Sequence, residues 1–144
     1  MAHDRILIAT DDSEPAQQAI GEAITQAAAF DATLHAVYVL EAAEPGVDDP
    51  ATREGVDTSA EQALERVATE AAERGFDGEV VSAVLRGQPA AAILQYADEH
   101  DIDLIVVGTH ARTGLDRLIV GSVAERVVRE SPVPVVTVSL RESK

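Results

Sequence analysis

The sequence lacks cysteine and tryptophan entirely, and only 3% of its 144 residues are aromatic. Without cysteine, disulfide bonds, thiolate metal sites and thiol catalysis are excluded. So few aromatic side chains offer little surface on which the bases of single-stranded nucleic acid could stack. Hydrophobic residues still make up 46% of the chain, which is enough for one domain of this length with a single buried core.

Positive charge is scarce as well. The 11 Lys and Arg residues oppose 26 Asp and Glu residues, for a net charge of −15, and the only lysine is Lys144. Nucleic acid and anionic membranes are therefore poor partners, because both are bound by basic surfaces. The lysine depletion favours a protein kept soluble in concentrated salt, where charge repulsion is screened; the alternative is an ordinary acidic cytosolic protein.

Long apolar runs are missing too. No run approaches the roughly 20 residues that are needed to span a bilayer. Polar residues begin at His3 and Asp4, which argues against a signal peptide. The sequence thus predicts a cytoplasmic protein.

Short apolar runs alternate with helical patterns along the whole chain. Strands are predicted over residues 5–10, 32–40, 79–86, 103–107 and 134–140, and helices over residues 16–30, 58–74, 89–100 and 122–130. The strands are apolar enough to be covered on both faces. This alternation predicts a single Rossmann-like α/β domain over residues 1–144, a doubly wound five-stranded parallel sheet with helices on both faces.

Residues 41–57 are rich in Pro, Gly and acidic side chains and predict a long loop. The spacing of Thr58 and Glu61 is typical of a capping box, and Gly75 is expected to end the helix that follows it. The loop would therefore separate the second strand from a helix that begins at Thr58.

Two predicted strand ends carry residues suited to a ligand. In doubly wound sheets, ligands bind beyond the carboxyl ends of the strands, where the strand order reverses. The first strand end holds Thr10, Asp11 and Ser13, and the second is the segment of residues 108–122.

The second strand end predicts an anion site. Gly108 lets a ligand approach the backbone closely. The free amides of Gly121, Ser122 and Val123 lie at the positive end of the last helix, which suits phosphate. Four arginines in this region oppose only two carboxylates; they are Arg112, Arg117, Arg126 and Arg129. Alternatively, Ser122 is only a helix cap, and the arginines pair with carboxylates on a solvated face.

Residues 108–128, GTHARTGLDRLIVGSVAERVV, closely resemble the signature segment of the universal stress proteins, as does the ending PVPVV at residues 132–136. Nucleotide-binding members of that family carry Gly, two residues, Gly, nine residues, then Gly followed by Ser or Thr. Here Gly108 and the pair Gly121-Ser122 match this motif, while Ala111 replaces its middle glycine. The resemblance extends over essentially the whole chain.

This resemblance implies roles for residues outside the motif. Asp11, with Thr10 and Ser13, matches the family's first loop, whose Asp contacts the nucleoside. Val39 matches the position whose backbone meets the adenine. Mg²⁺ would come with the nucleotide phosphates, helped by Asp11 or Asp12.

The resemblance also implies a homodimer joined through the last strand. The segment from Val135 to Leu140 is strongly β-prone, and an exposed apolar edge favours pairing with a second copy. The alternative is that the tail, residues 141–144, covers this edge.

The alanine at position 111 leaves two functions open. In the first, the protein binds ATP or AMP as a dimeric sensor or buffer, with slow hydrolysis at most. In the second, it is a nucleotide-free interaction module, like family members that lack the glycine motif. Ala111 keeps the second function open. Its methyl group costs about 1 kcal/mol or more if the position needs a left-handed backbone, or tilts or weakens the triphosphate if the glycine serves close approach. The change is conservative, and nucleotide binding stays the leading hypothesis.

Other classes of function find no support in the sequence. A phosphorelay receiver needs an acceptor Asp where Arg86 and Gly87 stand, and both it and a Walker-type P-loop need an internal lysine. The Gly-x-Ser-x-Gly elbow of a hydrolase is absent, and the four histidines show no metal-ligand spacing. His110, the one histidine near the predicted site, is expected to be a loop side chain or a ligand contact. We therefore name no catalytic residue.

Overall fold

Strands and helices alternate in the order that the sequence predicts. The structure is a computed structural model that describes residues 4–10, 14–40, 50–109 and 122–139. The strands are β1 (Arg5–Ala9), β2 (Thr33–Leu40), β3 (Val80–Arg86), β4 (Leu104–Thr109) and β5 (Val135–Ser139). The helices are α1 (Glu14–Phe30), α2 (Pro50–Glu73), α3 (Pro89–Glu99) and α4 (Ser122–Glu130). Within these residues, no helix combines the length and apolarity needed to cross a membrane.

The five strands form one parallel sheet in the order β3-β2-β1-β4-β5. The chain builds outwards from β1 to β3, and then returns through α3 to add β4 and β5 on the other side of β1. The strand order therefore reverses between β1 and β4. This confirms the predicted doubly wound α/β fold and places its switch point at the carboxyl ends of these two strands.

Alternate strand residues pack into two cores, one on each face of the sheet, because successive side chains of a strand point to opposite faces. Ile6 and Ile8 pack into the core that includes α1 and α2, whereas Leu7 packs into the core that includes α3 and α4. Small residues such as Ala19 and Ala23, both fully buried, let α1 approach the sheet closely. Coverage on both faces explains why the strands are almost uninterrupted apolar runs.

Helix α2 begins earlier than the sequence predicts. Its first residue is Pro50, so residues 50–57 are helical rather than part of a loop, and Thr58 lies inside the helix instead of capping it. Proline suits the first helical turn, where its missing N–H has no partner to lose, and an interior Gly55 costs only about 1 kcal/mol. The rest of the predicted loop, residues 41–49, lies outside the described residues.

The end of α2 agrees with the prediction. Gly75 has a φ of +78°, a left-handed conformation that glycine adopts without strain. Its N–H donates to the carbonyl of Ala72 at 3.1 Å, and the N–H of Phe76 donates to the carbonyl of Ala71 at 2.9 Å. These bonds satisfy carbonyls that the end of a helix leaves unpaired.

Candidate functional site

Strand β1 stops short of both neighbours at the carboxyl edge of the sheet. Its pairing with β2 ends at Val37 and its pairing with β4 ends at Val106, whereas β2 runs on to Leu40 and β4 to Thr109. Each of the two neighbouring strands therefore continues for three residues after the last residue that pairs with β1. Three residues of a strand span about 10 Å. We call this part of the edge, bounded by residues 38–40 and 107–109, the notch. It lies at the switch point, where sheets of this kind bind ligands.

Main-chain groups of Val39 form one wall of the notch. In a parallel ladder, the N–H and C=O groups of alternate residues point to opposite neighbours. The N–H of Thr10 donates to the carbonyl of Val37 at 2.9 Å, and the N–H of Gly87 donates to the carbonyl of Leu40 at 2.9 Å. Odd-numbered residues of β2 therefore point towards β1. Val39 lies beyond the hydrogen bond between Thr10 and Val37, so its N–H and C=O groups point into the notch.

Gly108 forms the opposite wall. The N–H of Ile105 donates to the carbonyl of Pro134 at 3.0 Å, on the β5 side, so the even-numbered residues of β4 point towards β1. The pairing of β1 with β4 has already ended at Val106, which leaves the N–H and C=O of Gly108 directed into the notch. Because Gly108 has no side chain, a ligand can approach this wall closely. The predicted strand ends at residue 107, whereas β4 continues to Thr109.

Thr10 lies at the base of the notch, directly after β1. It is only 4% exposed, and its hydroxyl Oγ1 is buried without a hydrogen-bond partner among the described residues. A buried hydroxyl without a partner is costly, so native proteins normally provide one. The position of Thr10 at the switch point makes a bound ligand one source of that partner.

Helix α4 begins at Ser122, as the sequence predicts. The main-chain N–H groups of Ser122 and Val123 belong to the first turn, which has no carbonyl partners within the helix and carries the positive end of its dipole. Because α4 connects two parallel strands, its start lies on the carboxyl side of the sheet, the side of the notch. Val123 packs against the α3–α4 core, which holds this end in place.

The arginines of α4 supply no free positive charge. Arg129 donates two hydrogen bonds to the carboxylate of Glu125, at 3.1 and 3.3 Å, and Arg126 donates one to Glu130 at 3.2 Å. The hydrogen bond from Arg129 lowers the pKa of Glu125, so this carboxylate stays charged and balances the guanidinium. These two arginines thus pair with carboxylates on an exposed face, as in the alternative interpretation, and their contact with a phosphate stays a prediction.

A side-chain contact joins α3 to α4 that the sequence does not predict. The side-chain oxygen of Gln88 caps α3 by accepting from the N–H of Ala91 at 2.9 Å, and it also accepts from Nη1 of Arg126 at 3.0 Å. This contact ties the start of α3 to α4 on the carboxyl side of the sheet. A polar residue before Pro89 indicates a helix start, but no sequence signal links it to a residue 38 positions away.

The structure brings half of the predicted site residues to one side of the sheet. Thr10, Val39 and Gly108 surround the notch, and Ser122 and Val123 open α4 on the same side. The other predicted residues lie outside the described part of the chain; they are Asp11, Ser13, Ala111, Arg112 and Gly121, together with Asp12, Arg117 and His110. The binding roles of all these residues, inside and outside the described part, stay predictions.

The fold and the notch define a doubly wound α/β domain whose candidate ligand cleft lies at the switch point of a five-stranded parallel sheet. Residues 2–139 match the model of the universal stress protein family. A universal stress protein of Methanocaldococcus jannaschii is 37% identical over 142 residues, which cover 94% of this chain and 82% of the relative. The chain therefore belongs to the universal stress protein family.

Solved structures share this fold. A second protein of Methanocaldococcus jannaschii superposes with a TM-score of 0.82 over 99% of this chain and 100% of its own, at 22% identity. The universal stress protein of Archaeoglobus fulgidus, solved in complex with dAMP, superposes with a TM-score of 0.71 over 96% and 99% of the two chains, at 23% identity. At these identities the likeness shows the fold alone.

The substitution Thr10→Val replaces the unpaired hydroxyl with a methyl group of similar size. We expect the free energy of unfolding of the ligand-free protein to rise by about 1 kcal/mol, because the change removes a buried polar group that has no partner among the described residues. Urea denaturation measures this change. Thr10→Ser is the matched control: it keeps the hydroxyl, loses a buried methyl group and should lower stability by about 1 kcal/mol. A loss of stability in Thr10→Val would mean that another group of the protein already hydrogen-bonds to the hydroxyl when no ligand is bound.

Proposed function

We propose that this protein binds an adenine nucleotide, ATP or AMP, at the notch. The observation that carries the proposal is the pair of main-chain walls, Val39 and Gly108, that face the gap beyond the end of β1. Two features add support: the hydroxyl of Thr10 at the base of the notch, which has no partner in the described part of the chain, and the start of α4 on the same side. The relative from Archaeoglobus fulgidus that was solved with dAMP has the same fold.

The base is expected to lie between the two walls. The main chains of β2 and β4 are two strand spacings apart, about 10 Å, which leaves room for a flat aromatic ring. Val39 offers an N–H and a C=O side by side, and adenine offers an acceptor nitrogen next to a donor amino group. Guanine has a carbonyl oxygen in place of that amino group, and this oxygen would face the carbonyl of Val39. Val39 therefore favours adenine over guanine.

The phosphates are expected at the start of α4. The N–H groups of Ser122 and Val123 have no partner within the helix, and the dipole favours negative charge there. The N–H of Gly121 is expected to join them. We assign the cationic contact to Arg112, which lies within the segment that resembles the family signature. Arg126 and Arg129 bind carboxylates. Asp11 and Ser13, which follow Thr10, are assigned to the nucleoside by the family resemblance.

The proposed role is that of a dimeric cytoplasmic sensor or buffer of the nucleotide. Hydrolysis is expected to be slow at most, because we identify no base or water-orienting residue for phosphoryl transfer. Mg²⁺ would bind together with the phosphates, and Asp11 is the protein residue proposed to coordinate it. The second candidate is a nucleotide-free interaction module of the same family, and Ala111 is the observation that favours it.

Chromatography of the small molecules released on denaturing the purified protein separates these two candidates. We expect a stoichiometric adenine nucleotide in the extract. We also expect the nucleotide-free protein to melt at a higher temperature when ATP or AMP is added, because ligand at 100 times its Kd stabilises a protein by about 2.7 kcal/mol. An empty extract without any such rise, at matched salt, would leave the interaction module as the function.

Substitution of Gly121 tests the phosphate site. Gly121→Val should abolish nucleotide binding, measured by calorimetry, because its branched side chain blocks the amides at the start of α4, while the far-UV circular dichroism stays unchanged. Ala111→Gly restores the family motif and should tighten binding. Ser82→Val, which adds the same side chain on the exposed edge strand β3, is the control and should bind normally. Unchanged nucleotide affinity in Gly121→Val would mean that these amides do not bind the phosphates.

The homodimer is proposed to form through β5. This strand lies at the edge of the sheet, and the carbonyl of Pro134 already accepts from β4. By the alternation of the ladder, Val136 and Val138 also point to β4, whereas the N–H and C=O groups of Thr137 point outwards. An exposed edge of this kind can pair with the same strand of a second copy.

Thr137→Pro tests this interface by removing an outward N–H without touching the ladder to β4. Edge strands tolerate proline where the N–H that it lacks would point away from the sheet. Light scattering should show a dimer for the native protein and for the control Thr137→Val, and a monomer for Thr137→Pro. A dimeric Thr137→Pro protein would place the interface elsewhere.

The acidic, lysine-poor surface is proposed to be an adaptation to concentrated salt. Net charge of −15 opposes compaction at low ionic strength, and the repulsion is screened as salt rises. The melting temperature should therefore increase steadily from dilute buffer to molar KCl. A flat or falling profile would favour an ordinary acidic protein.

A further inference from the structure

A buried pair of polar rings joins β2 to α3. His35 lies within β2 and is only 7% exposed, and Tyr96 of α3 is 5% exposed. Nδ1 of His35 and the hydroxyl of Tyr96 are 2.7 Å apart, and the two rings meet edge to face with centroids 5.6 Å apart. The other buried residues of α3 are apolar; they are Ala90, Ile93 and Ala97. The hydrogen bond between His35 and Tyr96 is thus a polar contact inside an apolar interface.

His100, the residue after α3, extends this pair into a cluster. Its ring stacks on Tyr96 with centroids 3.8 Å apart and 16° between the planes, and its centroid is 5.8 Å from that of His35. Nδ1 of His100 is 3.1 Å from the carbonyl of Tyr96. Because a carbonyl only accepts, this nitrogen carries a proton. His100 is exposed and therefore lies between the buried rings and solvent.

His35 is held in its neutral form. Burial lowers its pKa below the usual 6.5, positive charge on His100 and Arg5 lowers the pKa further, and Glu79 opposes the shift. These groups belong to three elements around His35. Arg5 lies in β1, Glu79 directly before β3, and His100 directly after α3. A protonated His35 would be a nearly buried cation whose described partner is the neutral hydroxyl of Tyr96, and one such bond does not replace the lost hydration.

The end of α3 is the element that can respond to a proton. Strand β2 is hydrogen-bonded on both edges, whereas the last two turns of α3 contribute three buried side chains, Ile93, Tyr96 and Ala97. Lifting these turns exposes His35 to water, where a proton binds without the cost of burial. The lifted state binds the proton more readily, so it gains population as the pH falls through about 6.5 and gains nothing at higher pH, where His35 is neutral in both states.

We propose that His35, Tyr96 and His100 form an acid-sensitive latch, which holds the last two turns of α3 on the sheet at neutral pH and releases them in mild acid. The latch lies near the end of α3 that is remote from Gln88, and hence at the opposite end of the strands from the notch. It therefore does not depend on nucleotide binding.

Amide hydrogen exchange of the native protein at pH 7.5 and 5.5, in constant KCl and corrected for intrinsic rates, tests the latch. The N–H groups of His100 and Ile102, which donate to Tyr96 and Ala97, should lose protection in acid, by up to about tenfold at pH 5.5, because that pH lies one unit below the ordinary histidine pKa of 6.5. Amides of α1 should keep their protection. Unchanged protection at His100 and Ile102, or an equal loss in α1, would overturn the proposal.

A double variant identifies the group that titrates. His35→Leu with Tyr96→Phe removes the imidazole together with its hydroxyl partner, so no polar atom of the pair is left unpaired, and the acid-induced loss of protection should disappear. His110→Gln, which removes a histidine outside the cluster, should leave the loss unchanged. A loss that persists in the double variant would overturn the latch. Should that variant not fold, nuclear magnetic resonance titration of His35 in the native protein decides: a midpoint at or above 6.5 would also overturn it.

Discussion

The early end of β1 is the constraint on which the candidate site depends. A central strand of a parallel sheet pairs with the main chain of both neighbours, so each position that it fails to reach leaves amide and carbonyl groups of those neighbours without a ladder partner. Among the described residues, Val39 and Gly108 carry such groups, which face each other across the point where the strand order reverses. Groups of this kind need water, a loop or a ligand as partners. The candidate site is therefore built mainly from backbone, and its geometry follows from the sheet.

A backbone site also agrees with the charge of the protein. The chain carries a net charge of −15, and the arginines of α4 are engaged by Glu125 and Glu130. An anionic ligand can then be held by helix amides and their dipole, which keep their partial positive charge whatever the surface carries. Salt that screens the surface would help the same ligand to approach. In this proposal, Thr10 would contribute through a buried hydroxyl rather than through charge.

The sequence predicts the fold well because apolar runs and caps are local signals, and all five strands and four helices occur where expected. The exception is the start of α2, where Pro50 and Gly55 indicated a loop although both are tolerated in a helix. Within the site, position along the chain was enough to select Thr10 and Gly108. The direction of the Val39 main chain was not predictable without the register of the sheet, nor were pairings such as His35 with Tyr96, which are 61 residues apart. A lone histidine within an apolar strand was the available hint.

Amide chemical shifts during titration of the isotope-labelled, nucleotide-free protein with AMP test the central claim most directly. The account predicts that the amide resonance of Val39 moves downfield as it donates to the base, that Gly108 shifts with it, and that Ser82 on the far edge strand stays in place. Saturable binding of AMP that leaves Val39 and Gly108 unmoved would contradict the account, because the notch would then not be where the ligand lies.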